Sequence, residues 1–154
     1  MAALDIKQQL IMDVMLGALK NITVLNGYRT DIGITVSEYN GDVFGKGEDP
    51  RTMVFDVSDV NTDERAQGGY EGKITIEVHH LCSMGKDTIP YLRKMIADVN
   101  RCIGLNRELF WGSLNVTITR VKDEKGIDKE DRTIGGAIQT FEVTYSDYEF
   151  GVME

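Results

Sequence analysis

The strict alternation of apolar and polar side chains over residues 73–82 constrains the fold more than any other feature of this sequence. One face carries Ile74, Ile76, Val78, His80 and Cys82. The other face carries Lys73, Thr75, Glu77, His79 and Leu81. A period of two is that of a β-strand with one buried and one more polar face. Because strands of a parallel sheet are buried on both faces, the pattern favours a largely antiparallel sheet that is covered on one side.

The order of predicted elements along the chain indicates the fold class. Alternating patterns predict strands over 31–36, 51–58, 73–82, 114–121 and 137–146, and helical spacing predicts helices over 4–22 and 86–103. The resulting order, α-β-β-β-α-β-β, predicts a single α+β domain over residues 1–154. We expect a two-layer sandwich in which two helices cover one face of a mostly antiparallel, mixed sheet of about five strands.

The first predicted helix has more apolar surface than one sheet requires. Its apolar arc covers roughly two thirds of the circumference, whereas a one-sided surface helix needs a stripe of about 100°. Met12, Leu16 and Leu19 widen the arc. The sequence therefore predicts a helix covered on two sides, either by the sheet and a neighbouring subunit or by loops of the same chain. If a subunit covers it, these three residues are the candidate contacts.

Charge and composition exclude several classes of protein. The 154 residues include 17 basic and 25 acidic side chains, a net charge of −8, which disfavours tight binding to nucleic-acid phosphates. Polar residues interrupt the first 25 positions, so we expect neither a signal peptide nor a membrane span there. The two cysteines, twenty residues apart, are interpreted as reduced core thiols rather than a disulfide or metal site.

The sequence contains no recognisable catalytic signature. His79 and His80 are strand neighbours that point to opposite faces, so they cannot share a metal, and His80 is expected to be a hydrogen-bonded core histidine. The glycine-rich segment 41–47 lacks the spacing of a P-loop, and the charged segment 122–132 lacks that of a calcium-binding loop. We therefore predict a protein that is not an enzyme and has no cofactor and no metal.

The segment from Leu25 to Gly33, read together with the strand at Met53–Val57 and the strand at Ile74–Val78, resembles the tail terminator, or tail completion, proteins of long-tailed bacteriophages. The shared features are a helix, the run Gly27-Tyr28-Arg29-Thr30-Asp31-Ile32-Gly33, and the order of strands and loops. The likeness covers about residues 5–145.

The resemblance implies a structural protein of the virion tail that is assembled in the host cytoplasm. Such proteins form a hexameric ring at the head-proximal end of the tail tube, stop its elongation and offer a surface for joining the head. The implied partners are further copies of the chain, the tail tube protein and the head connector protein. DNA would only pass through the ring, and no membrane is involved.

The resemblance directs attention to the loops. The segments 59–72 and 122–135 are candidate contacts with tube or connector, through Asp63, Glu64, Arg65, Lys125, Asp128 and Lys129. Residues 37–72 hold nine acids and three bases, so Glu48 and Asp49 are candidates for an acidic lumen, although a solvated acidic surface is the commoner explanation.

Two other functions remain open at this stage. The first is another assembly role, in head completion or in the baseplate. The second is a small cytosolic enzyme or a ligand-binding domain that uses the outer face of the sheet. Its site would contain Glu77, His79 and the threonines interpreted as outer-face residues, which are Thr52, Thr75, Thr117, Thr119, Thr140 and Thr144.

Overall fold

The computed structural model describes residues 7–39, 50–64, 69–108, 116–127 and 134–148. The helices are α1 (Lys7–Leu19), the short α2 (Ile32–Thr35) and α3 (Thr88–Leu105), and two 3-10 turns lie at Val24–Asn26 and Gly85–Asp87. The strands are β1 (Ser37–Glu38), β2 (Arg51–Glu64), β3 (Gly69–Cys82), β4 (Thr117–Ile127) and β5 (Gly135–Tyr148).

The five strands form one mixed sheet in the order β1-β2-β3-β5-β4. β1 runs parallel to β2, and the other neighbouring pairs are antiparallel. The predicted α+β fold, with a mostly antiparallel sheet of about five strands, is confirmed. β2, β3 and β5 each have 14 residues, which corresponds to a length of about 46 Å.

Both long helices pack on the same face of the sheet, which we call the inner face. Their buried side chains and the inward residues of the strands form one apolar cluster. Members from the helices include Ile11, Met15, Leu19, Leu92, Met95 and Val99, and members from the strands include Ile74, Ile76, Val78, Phe141, Val143 and Tyr145. The inward residues of β3 and β5 follow the period of two, as the alternating pattern of 73–82 predicts.

The predicted strand over 31–36 is wrong. The segment forms the helical turn α2, and the strand that follows is only Ser37–Glu38. Gly33 donates its amide to the carbonyl of Ile22 at 2.8 Å, and a Cβ at Gly33 would collide with the carbonyl of Lys20. This close contact with the end of α1 determines the local conformation, because tertiary packing overrides the preference of a six-residue apolar alternation.

The predicted loops 59–72 and 122–132 are shorter than expected. β2 continues to Glu64, β3 starts at Gly69 and β4 continues to Ile127. Residues 56–60 of β2 are exposed, and β4 is exposed over most of its length. A strand segment with no buried face carries no apolar alternation, so the sequence does not mark these parts of β2 and β4 as strand.

A buried carboxylate fixes the turn that follows α1. Asp98, on α3, is fully buried and accepts hydrogen bonds from the amide of Arg29 (3.1 Å) and from the amide and hydroxyl of Thr30 (both 2.7 Å). These donors replace the water that a carboxylate needs. The segment Asn21–Asp31 is thereby attached to α3.

Candidate functional site

The face of the sheet opposite the two helices, here called the outer face, is the candidate functional site. A row of rings crosses it from β1 to β3. Tyr39 stacks on Phe55 with ring centroids 4.4 Å apart, and Phe55 lies 4.1 Å from His79. His79 Nε2 lies 2.8 Å from Glu77 Oε1. Alternation in β2 and β3 places these side chains away from the core, because Thr52 and Val54 point inward instead.

An open groove borders His79 where β3, β4 and β5 lie side by side. Its volume is about 510 Å³. Apolar side chains and glycines dominate its lining, and Glu124 and Lys125 also border it. The apolar members are Leu81, Ile127, Ile134, Ala137 and Ile138. A concave apolar surface with a few polar groups is the usual form of a binding site.

Thr140 marks the middle of the outer face. Its side chain is 6% exposed, and its Oγ1 has no hydrogen-bond partner among the described residues. In the register of the sheet it lies between Glu77 on β3 and Lys122 on β4. A buried hydroxyl without a partner costs about 1–3 kcal/mol, so a donor or acceptor that reached it would be favoured there.

The outer face is acidic. Among the described residues, four glutamates of this face stand against two lysines and one arginine, a balance of −1. They are Glu71, Glu77, Glu124 and Glu142 against Arg51, Lys73 and Lys122. Lys73 Nζ lies 3.7 Å from Glu142 Oε2 and Lys122 Nζ lies 3.2 Å from Glu124 Oε1, both on exposed side chains where ion pairs are weak.

His80 faces the core, as expected, and its hydrogen bonds are complete. Thr52 Oγ1 lies 2.8 Å from Nδ1, and Gln139 Oε1 lies 2.7 Å from Nε2. The Gln139 amide donates to the carbonyl of Ile96 and to Asn100 Oδ1, both at 3.2 Å, so its oxygen is left to accept from the Nε2–H of His80. Burial lowers the pKa of His80 from 6.5 to about 4, and the ring is therefore neutral at pH 7.

The two histidines point to opposite faces, as predicted, and cannot share a metal. No group of three or more His, Cys, Asp or Glu side chains within the described residues could hold a metal ion. Cys82 and Cys102 are both free and buried, which confirms the interpretation as core thiols. Burial raises the pKa of both thiols. No helix in the described part of the chain is long and apolar enough to cross a membrane.

The predicted subunit contacts of α1 lie close to the chain's own core. Met12 is 4% exposed and Leu19 is fully buried, and both belong to the apolar cluster. Leu16 is half-buried and packs against that cluster, with part of its side chain still at the surface. An interface that includes α1 stays a prediction, and Leu16 is the residue through which it would form.

The predicted contact residues of the loops are not brought together in the described residues. Lys125 is exposed on β4 beside the groove. Asp63 and Glu64 are the last two residues of β2. The remaining candidates lie outside the described residues: Glu48, Asp49, Arg65, Asp128 and Lys129.

An apolar turn at the end of α1 was missed by the sequence reasoning. Leu25 is 96% exposed in the 3-10 turn Val24–Asn26. The turn is tightly held, because Thr23 Oγ1 accepts from the amide of Asn26 at 3.2 Å and Asp31 Oδ1 accepts from the amide of Val24 at 2.9 Å. Leu25 is the first residue of the segment that carries the resemblance, and no periodic pattern in the sequence indicates that it is exposed.

The exposed side of α3 is basic, a feature that the sequence analysis did not predict. Arg93, Lys94 and Arg101 are exposed, and the only acid of the helix, Asp98, is buried. Lys94 and Arg101 are seven residues apart, a spacing that places both on one side of a helix and that the sequence does show. Arg101 also donates to the carbonyl of Gly27 at 2.8 Å, which links this side of α3 to the turn that carries Leu25.

No protein-family model matches the sequence, and no curated protein matches it. Among solved structures, the chain is similar to a protein described as the sheath/tube terminator, in the extended state, of an extracellular contractile injection system, PVC. The TM-score is 0.41 and the sequence identity is 14%. The similarity covers 100% of this chain and 61% of the other, so the chain spans less than two thirds of that protein's length.

Proposed function

We propose that this chain is a non-enzymatic tail terminator. In this role it forms a ring, a homohexamer, on the head-proximal end of a tail tube, stops the addition of tube subunits and provides the surface to which the head connector binds. DNA passes through the ring without sequence-specific binding, and the finished protein is located in the virion tail.

The observation that carries the proposal is the element order. The resemblance rests on a helix, a Gly-Tyr-x-Thr turn and a succession of strands and loops. The motif segment Gly27–Asp31 lies between α1 and α2, where Asp98 fixes its backbone. The fold supports the proposal further, because among the described residues the side of α3 with Arg93 and Lys94 and parts of the outer face are exposed and could contact other subunits.

Tube growth in vitro tests the proposal. The tail tube protein encoded by the same genome is polymerised with and without this chain, and tube lengths are measured by negative-stain electron microscopy. We expect shorter tubes with added density at one end. Tubes of unchanged length with bare ends would contradict the terminator role. Density on purified heads or on baseplates instead would favour one of the other assembly roles.

A ligand-binding role for the outer face has one observation in its favour, the Glu77–His79 pair beside the groove. A carboxylate that holds an imidazole is a common arrangement in sites that move a proton. The paired substitutions Glu77→Gln and His79→Gln distinguish the two functions. If both variants still stop tube growth as the unmodified chain does, the pair has no part in termination, and if no small molecule shifts the unfolding temperature of the unmodified chain, the ligand-binding role is excluded.

A further inference from the structure

The two exposed faces of this sandwich are opposite in position and in charge. α3 packs its buried side on the inner face of the sheet, so its exposed side points away from the sheet. The outer face lies on the other side of the molecule. The described part of α3 exposes three basic side chains and no acid, whereas the outer face carries the balance of −1 described above.

We propose that the exposed side of α3 binds the outer face of a second copy of this chain, head to tail. This inference rests on the proposed ring, for which it supplies the contact between subunits. The occupant of the outer face is another copy because the chain itself carries the complementary surface. Opposite charges that meet across an interface also orient the partners and suppress contacts between like faces.

The outer face has two features that match the exposed side of α3 and the turn beside it, its glutamates and its apolar groove. Its glutamates, among them Glu124 and Glu142, complement Arg93 and Lys94. The exposed carboxylates provide both the charge and the hydrogen-bond acceptors that the basic side chains of a helix need.

The apolar turn provides a second point of contact. Arg101 holds the Gly27 carbonyl, so Leu25 is displayed beside the basic side of α3. The groove on the outer face is lined by apolar side chains and has a volume of about 510 Å³, which is large enough for a leucine side chain. A rigid apolar side chain that fills a pocket contributes more to affinity than a mobile one, because little entropy is lost on binding.

A contact between two different faces is heterologous. Each added copy leaves one α3 side and one outer face free, so addition continues until the chain of subunits closes into a ring or grows into a filament. A ring is the closed form of this contact, as the proposed terminator requires.

Reciprocal charge reversal tests the contact. The α3 variant is Arg93→Glu with Lys94→Glu, and the outer-face variant is Glu124→Lys with Glu142→Lys. All four side chains are exposed, so we expect both variants to fold with the unmodified unfolding midpoint. Mass is measured by light scattering after size exclusion, up to millimolar protein and at low salt, because salt screens exposed charges.

We expect the unmodified chain to exceed the monomer mass of 17.3 kDa and each variant alone to remain monomeric. An equimolar mixture should assemble again, because an acidic α3 side then meets a basic outer face and the reverse. An unmodified chain that is monomeric throughout, a variant that self-associates as the unmodified chain does, or a mixture that stays monomeric would overturn the proposal.

Failure of this contact is distinguishable from failure of the proposed function. The mass measurement involves no tail tube, and the tube-growth assay involves no assumption about which faces meet. A chain that stops tube growth but shows no reciprocal rescue retains its function and loses this interface. A chain that shows the rescue and leaves tubes uncapped retains the interface and loses the terminator role.

Discussion

His80 makes the stability of this protein depend on pH in a way that the structure quantifies. The ring is 2% exposed, burial keeps it neutral, and Thr52 and Gln139 satisfy both of its nitrogens. Burial lowers the pKa of His80 from 6.5 in the unfolded chain to about 4 in the folded protein. The unfolded state therefore takes up a proton first as the pH falls, and the folded state is destabilised.

The magnitude follows from the two pKa values. The stability that neutral His80 contributes is fully present above pH 6.5 and is lost as the pH falls from 6.5 towards 4. Below that pH, His80 causes no further loss. The linkage relation gives a loss of about 2 kcal/mol at pH 5 and about 3 kcal/mol near pH 4, or a fall of roughly 6–12 °C in melting temperature for the larger value. Asp56 works in the opposite direction, because burial and the neighbouring Asp59 raise its pKa in the folded state.

Urea unfolding at several pH values between 4 and 8 measures this loss for the unmodified chain, for His80→Gln and for His79→Gln. The difference between the unmodified chain and His80→Gln isolates His80, because Asp56 and the other carboxylates are common to both. We expect His79→Gln to keep the acid loss and His80→Gln to lack about 3 kcal/mol of it. Parallel stability curves for the unmodified chain and His80→Gln would refute the reasoning. Imidazole nitrogen shifts of the unmodified chain provide a check that needs no variant, since they should show a neutral, Nε2-protonated His80 at pH 5.5.

Three further outcomes are expected. Asp98→Asn should lower the free energy of unfolding in urea by about 2–4 kcal/mol, because an amide nitrogen replaces an oxygen that accepts from backbone amides. The exposed control Asp13→Asn should change it by less than about 0.5 kcal/mol. Gly72→Ala should lower the free energy of unfolding by about 1–3 kcal/mol, because the new methyl group would meet the buried ring of Tyr145. Gly126→Ala, with nothing near its Cβ, should leave this free energy almost unchanged in the same assay. Both cysteines should resist a thiol reagent at pH 8 in the folded protein and react after unfolding, because both are buried and burial raises the pKa of each thiol. Rapid labelling of the folded protein would contradict their placement in the core.

The sequence predicted those parts of the fold in which one side of an element faces the core and the other faces water. The alternation of 73–82 placed Ile76 inward and His79 outward, and the helical spacing located α3 to within two residues at each end. It failed over 31–36, where contact between Gly33 and the end of α1 decides the conformation, and no short-range pattern contains that contact.

The candidate site was predictable only in part. Strand alternation put Glu77 and His79 on one face, and the structure shows them in contact. It did not place Phe55 beside them, because that requires the register between β2 and β3. Thr52 was interpreted as an outer-face residue, but it points inward and contacts His80, since the inward side of β2 includes a polar position that the apolar pattern does not mark.

The apolar surface of α1 and the charges of α3 would form two different kinds of subunit interface. Met12 and Leu19 are enclosed by this chain, so most of the surface that suggested a neighbouring subunit is already buried on folding. Burying that surface needs no second copy. Arg93 and Lys94 remain exposed, and they are not balanced by any exposed acid of their own helix. A contact built on such charges forms quickly, is oriented and weakens with salt, whereas a contact built on α1 would be insensitive to salt. The salt dependence of self-association therefore distinguishes the two interfaces. An assembly that persists unchanged in high salt would favour a subunit interface formed by α1 through Leu16 and would contradict the one formed by α3.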